Sequence, residues 1–308
     1  MSRLLAPIRA TLQALSEAVS NPGIRRLEAS WLLGIAADGA LTVALLVVAY
    51  EGGGVGAAGL LGALRLGPAV VTGMLTGAIL GRVRGDRLLL GLALVRTASA
   101  ILITAVIATG GPLPVLFALA AVAASAGAPV RPTQATLMPA LARSPSELVA
   151  ANMAWSTGEG VGSLLGPFIA GLLVAAGEPA IAAAAAAVGF AGTAIAAAGL
   201  RFEQSADALG AGASHAASRG LRLREGLRAL RSRPVPGWSM FGVFGQVATR
   251  GALTVLVVAA AVELLGMGEP GVGLLNASLG LGGLAGAVFA VSLVGRSGLI
   301  RTQAWTLA

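Results

Sequence analysis

Cysteine is absent from the 308 residues, lysine is absent too, and histidine occurs once, as His215 in a polar stretch. The first absence excludes disulfides and thiolate metal sites. The third excludes a multi-histidine metal centre, so no metal and no cofactor are expected. Charge is also scarce: charged residues make up 11% of the chain and aromatics 4%. No clustered Ser–His–Asp or cysteine set exists, and the glycine-rich runs lack the strand-to-helix setting a nucleotide loop needs. These shortages argue against an enzyme.

What the chain has in quantity is apolar. Hydrophobic residues reach 56% and the mean hydropathy is +0.86, outside ordinary soluble usage. Uninterrupted apolar runs recur, each long enough to cross a hydrocarbon layer of about 30 Å. Continuous rather than alternating runs argue against a β-barrel. The fold class expected is an all-α membrane protein with the lipid bilayer as its surroundings.

Residues 1–28 form an N-terminal segment in which Leu4, Leu5, Ile8, Leu12, Leu15 and Val19 recur at helical spacing. That pattern suits an amphipathic helix on the membrane surface, and equally a loosely ordered tail. Six spans are expected between residues 29 and 200, roughly Ala29–Ala49, Val55–Leu80, Leu88–Thr109, Pro112 to Arg131-Pro132, Leu148–Ala176 and Pro179–Leu200. A polar connector before the fifth offers Ser146 as a helix N-cap. Residues 201–235 turn basic, with Arg219, Arg222, Arg224, Arg228, Arg231 and Arg233 interleaved with leucines. A basic amphipathic helix on an anionic leaflet explains this better than nucleic acid does. Residues 236–308 hold two further spans and the start of a ninth.

Gly39–Val43 and Gly251–Val255 both read Gly-Ala-Leu-Thr-Val, and Glu51 follows the first at the distance Glu263 follows the second. One hydrophobic hairpin has been written twice in the same direction, as in membrane proteins built from parallel repeats. All 21 basic residues are arginine, and those between spans fall after even-numbered ones, while loops after odd-numbered spans carry only glutamates. The positive-inside rule then places the N-terminus and the central stretch in the cytoplasm of a plasma-membrane protein.

A charge within a span costs about 2.5–3.5 kcal/mol and is a functional candidate by default. Asp38, Glu159, Arg65, Arg96 and Arg250 qualify, Arg250 occupying the repeat position of Asp38. At the helical rise per residue they lie on the order of 12–21 Å into their spans, near the midplane. One reading is a polar cavity where a carboxylate alternates between a proton and an arginine, because burial raises a carboxyl pKa and a neighbouring guanidinium lowers it. Asp38 and Glu159 would carry protons, and the arginines would be partners or anion contacts. The other is a static set of ion pairs, and Arg96 could instead extend toward the interface.

This arrangement resembles the major facilitator superfamily. Gly77-Ala78-Ile79-Leu80-Gly81-Arg82-Val83-Arg84-Gly85 is similar to that family's loop between its second and third helices, Gly-x-x-x-Asp-Arg-x-Gly-Arg, with Gly81 at the Asp position. Gly162-Ser163-Leu164-Leu165-Gly166-Pro167-Phe168-Ile169-Ala170-Gly171 looks like its antiporter motif Gly-x-x-x-Gly-Pro-x-x-Gly-Gly, with Ala170 in place of one glycine. Arg131 to Asn152 is similar to bacterial exporters of the siderophore- and drug-efflux type. The resemblance implies a six-helix first half, about two and a half helices of a second, and a chain shortened at its C-terminus. It implies secondary export of a small amphipathic molecule by proton antiport, and conformational gating at Gly77, Arg82, Arg131, Gly162, Gly166, Pro167 and Gly171. For the fifth-span motif, plain close packing is the competing reading. Uptake, lipid translocation, or a membrane anchor or signalling subunit with a soluble domain past residue 308 are the alternative functions.

Overall fold

The structure is a computed structural model and describes residues 20–80, 83–200 and separate positions between 245 and 282. Among these residues every regular element is helical: α1 (Pro22–Leu80), α2 (Gly85–Ala108), α3 (Leu113–Gly127), α4 (Val130–Leu141), α5 (Pro145–Ala175), α6 (Pro179–Ala198) and a π-helical turn at Ala260–Leu264. The expected surface helix over residues 1–19, the basic stretch 201–235 and most of the second half lie outside the described residues, as do Arg82 and Arg250.

The first two expected spans are the two arms of α1. They meet at Gly53 (φ −168°, ψ 22°) and Gly54 (φ 63°, ψ −159°), the latter a left-handed conformation that glycine adopts without steric penalty. A straight helix would hold Asp38 and Arg65 about 40 Å apart. Their side chains are instead 3.5 Å apart, so the second arm folds back along the first.

Three boundaries differ from expectation. The first span begins at Pro22 rather than Ala29, because Asn21 Oδ1 accepts from the amides of Gly23 (3.0 Å) and Ile24 (3.4 Å). Asn21 also donates to the carbonyl of Leu141 at 2.9 Å, tying the start of α1 to the end of α4. The fourth span does not stop near Pro132. The chain re-forms as α4, which buries Thr133, Gln134, Leu137 and Met138.

The fifth span begins at Pro145, and its N-cap is Ser144, not Ser146. Ser144 Oγ accepts from the Glu147 amide at 3.1 Å, while Glu147 Oε2 accepts from the Arg143 amide at 2.5 Å. Ser146 sits in the first turn with its hydroxyl 2.9 Å from that of Ser144. Ser144→Ala should cost about 1 kcal/mol, read as faster amide hydrogen exchange confined to the first turn of α5.

Five of these helical stretches are long and apolar enough to cross a membrane, the first of them double. Helix α1 packs against α5, α6 and α3, its second arm reaching α3 where Thr72 Oγ1 donates to the Ser125 carbonyl at 2.9 Å, and α2 packs against α6 and α3. Small residues let these helices close in: Ala182, Ala183 and Ala186 of α6 are fully buried. Met74, Val188 and Ile195, 81%, 73% and 76% exposed, point away from the bundle. Such outward apolar side chains suit hydrocarbon surroundings. The chain is a multi-pass helical membrane protein.

Candidate functional site

The repeated pentapeptide contributes directly to a central cavity of about 750 Å³, lined by Asp38, Gly39 and Thr42 of α1 and reached by Gly251 and Ala252 of the second copy. Arg65, Arg96, Arg131 and Glu159 line the same space. Four of the five mid-span charges expected from the sequence, together with Arg131, therefore share one hollow.

Asp38 is the hub. Its Oδ1 accepts from Arg96 Nη2 in a close contact and from Arg65 Nη2 at 3.5 Å. Arg65 Nη1 also donates to Thr42 Oγ1 at 2.7 Å, and that hydroxyl donates to the Asp38 carbonyl at 2.6 Å. One turn of α1 thus presents a carboxylate and a hydroxyl to the same guanidinium, since i and i+4 share a helix face.

Arg96 does not extend toward the interface. It is 7% exposed, and its guanidinium lies 4.1 Å from the centroid of Phe190 on α6. Room for it comes from Gly127 of α3, where an added Cβ would lie 3.4 Å from the Arg96 Cζ. The Asp38 side chain, by contrast, is 41% exposed to the hollow. Buried cation and accessible anion are a chemically unequal pair: only the carboxylate is open to a proton or a ligand.

Glu159 takes a partner the sequence did not indicate. Its Oε2 lies 3.4 Å from Arg131 Nη2, and Arg131 stands over the rings of Trp31 (5.8 Å) and Trp155 (5.4 Å). Thr42 and Phe190 also escaped sequence reasoning. The recurrence of the pentapeptide threonine as Thr254 could have flagged Thr42; nothing local marks Phe190.

The fifth-span motif is where α1 and α5 touch. A Cβ at Gly162 would lie 2.9 Å from the Leu32 carbonyl oxygen, and one at Gly166 would overlap the backbone of Ala36. A Cβ at Gly39 would come within 2.7 Å of Pro167 Cδ, and Gly171 is buried on the same helix. Close backbone approach is observed, and α5 continues helical through Pro167. Gly77 lies near the end of the second arm of α1.

A cavity within the bundle, reached by both copies of the repeated pentapeptide and lined by inward-facing charges, can hold a small molecule among the helices. No curated protein matches the chain in sequence. The profile of the Major Facilitator Superfamily matches residues 29–308. By that match the chain belongs to the Major Facilitator Superfamily, whose members are secondary transporters of small molecules.

Proposed function

We propose that the protein exports a small amphipathic molecule across the plasma membrane in exchange for protons, with its N-terminus in the cytoplasm. The observation that carries this reading is Asp38, held by Arg96 and Arg65 at the wall of a cavity whose other lining residues are mostly aliphatic. An accessible carboxylate beside two guanidiniums has two ways to be neutralised, by a proton or by an ion pair. A rearrangement that parts the arms of α1 loosens the Arg65 contact and favours the proton. Closing them favours the pair and expels the proton. Glu159 repeats the logic with Arg131, and Arg250 joins the partners.

Gly162, Gly166, Pro167 and Gly171, with Gly77, Arg82 and Arg131, govern the rocking between inward- and outward-open forms. The support is the backbone-to-backbone contact of α1 and α5, which couples motion of one helix to the other.

The test is efflux from loaded proteoliposomes. Collapsing the proton gradient should abolish it, and Asp38→Asn or Glu159→Gln should lower gradient-driven efflux by about two orders of magnitude, the range set by one positioned proton-transfer group. Normal gradient-driven transport by both variants would end the assignment.

A further inference from the structure

We infer that Arg131 is the built-in occupant of an organic-cation subsite, and that a transported monocation binds by displacing it. The inference rests on the reading of this cavity as a transport site and adds the class of solute.

Trp31 of α1 and Trp155 of α5 meet edge to face, with centroids 5.3 Å apart and planes at 77°. Two rings at such an angle make a corner, and the Arg131 guanidinium sits in it, 5.8 Å and 5.4 Å from the two centroids. Glu159, one helical turn beyond Trp155, closes a third side at 3.4 Å. Two aromatic faces and a carboxylate around a single positive charge are the elements with which proteins bind guanidinium and quaternary ammonium groups.

The occupant is loosely held. The Arg131 side chain is 62% exposed, against 9% for that of Arg96. Arg96 has a close carboxylate contact and a ring at 4.1 Å; Arg131 has neither at that range. It lies in the first turn of α4, so its long stem can turn out of the corner without disturbing the helix. The room beside it is real, because Trp31, Arg131 and Glu159 all border the cavity of about 750 Å³, within the usual size of small-molecule sites.

Charge decides which solute can do this. When a monocation replaces the guanidinium, Glu159 keeps a counter-ion and the net charge of the corner is unchanged. A neutral or anionic solute would leave the Glu159 carboxylate without one and would forgo the attraction of the two ring faces. The solute is therefore a monocation with a guanidinium or quaternary ammonium head and an apolar body. A cation and a proton compete for Glu159, in keeping with exchange of one for the other.

The experiment is equilibrium dialysis of the full chain in detergent micelles against benzyltrimethylammonium, with benzoate as the anionic comparison. The parent protein should bind the cation and not benzoate. Arg131→Ala and Arg131→Gln, freed of the internal competitor, should each bind it on the order of tenfold tighter. Arg131→Lys should stay near the parent, and Trp155→Leu added to Arg131→Gln should remove the gain. An arginine with a purely structural role predicts the opposite sign, weaker binding on its removal. Unchanged or weakened binding in Arg131→Gln, or preference for benzoate, overturns the subsite. If that happens while Asp38→Asn still abolishes gradient-driven efflux, only this inference falls. Tightened binding together with gradient-independent efflux would leave the subsite standing and remove the proton coupling.

Discussion

Asp38→Ala should destabilise the protein by about 3–5 kcal/mol, the cost of leaving a buried charge without its counter-ion. The stranded charge would be Arg96, 7% exposed and pressed on Phe190, with Arg65 close by. Arg65 keeps the Thr42 hydroxyl at 2.7 Å; among the described residues Arg96 keeps no comparable acceptor, and its Nε is already buried without a partner there. The reverse substitution, Arg96→Met, should cost less, because the Asp38 side chain is 41% exposed to the cavity and retains Arg65 at 3.5 Å. Asp38→Ala with Arg96→Met should recover most of the loss, since removing both charges leaves neither one stranded. Denaturant unfolding in micelles, followed by circular dichroism, measures all three. Equal stability of Asp38→Ala and the parent would mean that Arg96 is not buried as described. Gradient-driven transport should be lost in the single aspartate variant and in the double variant alike, which separates the fold's use of the pair from the function's.

Gly166→Val should be the most damaging apolar substitution in the first half. The first added carbon already overlaps the backbone of Ala36, and backbone cannot rotate aside as a side chain does. The helices α1 and α5 must separate, opening the contacts at Gly162 and at Gly39–Pro167 together. Overpacking of this kind costs about 1–3 kcal/mol and more where backbone is the obstacle, so loss of folded protein in micelles is expected. Gly91→Ala serves as the comparison: Gly91 lies mid-helix in α2 with open space around it, and alanine there should be neutral or stabilising by about 0.5–1 kcal/mol. Equal behaviour of the two would show that the α1–α5 contact is looser than observed.

The spans were legible because continuous apolar runs bounded by glycine and charge leave a chain few alternatives in a lipid solvent. The inward charges were legible for the same reason: Asp38, Arg65, Arg96 and Glu159 were expensive wherever they stood, so each had to find a partner inside the bundle. Their pairing was not legible. Sequence spacing gives depth along a helix but not azimuth, so nothing in the chain told that Arg96 would reach Asp38 or that Arg131 would serve Glu159. Helix starts were misplaced where hydrogen-bonding geometry outweighs hydropathy. Ser144 and Ser146 are equally good caps by type, and only the turn at Pro145 selects the first. The short α4 was missed because proline at residues 132 and 139 reads as interruption, whereas Pro132 falls in the first turn, where its missing amide costs nothing.

The turn at Gly53–Gly54 reverses the chain within two residues of an otherwise continuous helix. A longer connection would let one crossing swing while the other stayed still. Here there is no slack to take up, so any tilt of the second crossing is transmitted, like the jaw of a pair of tweezers, to the mid-arm level where Asp38 faces Arg65.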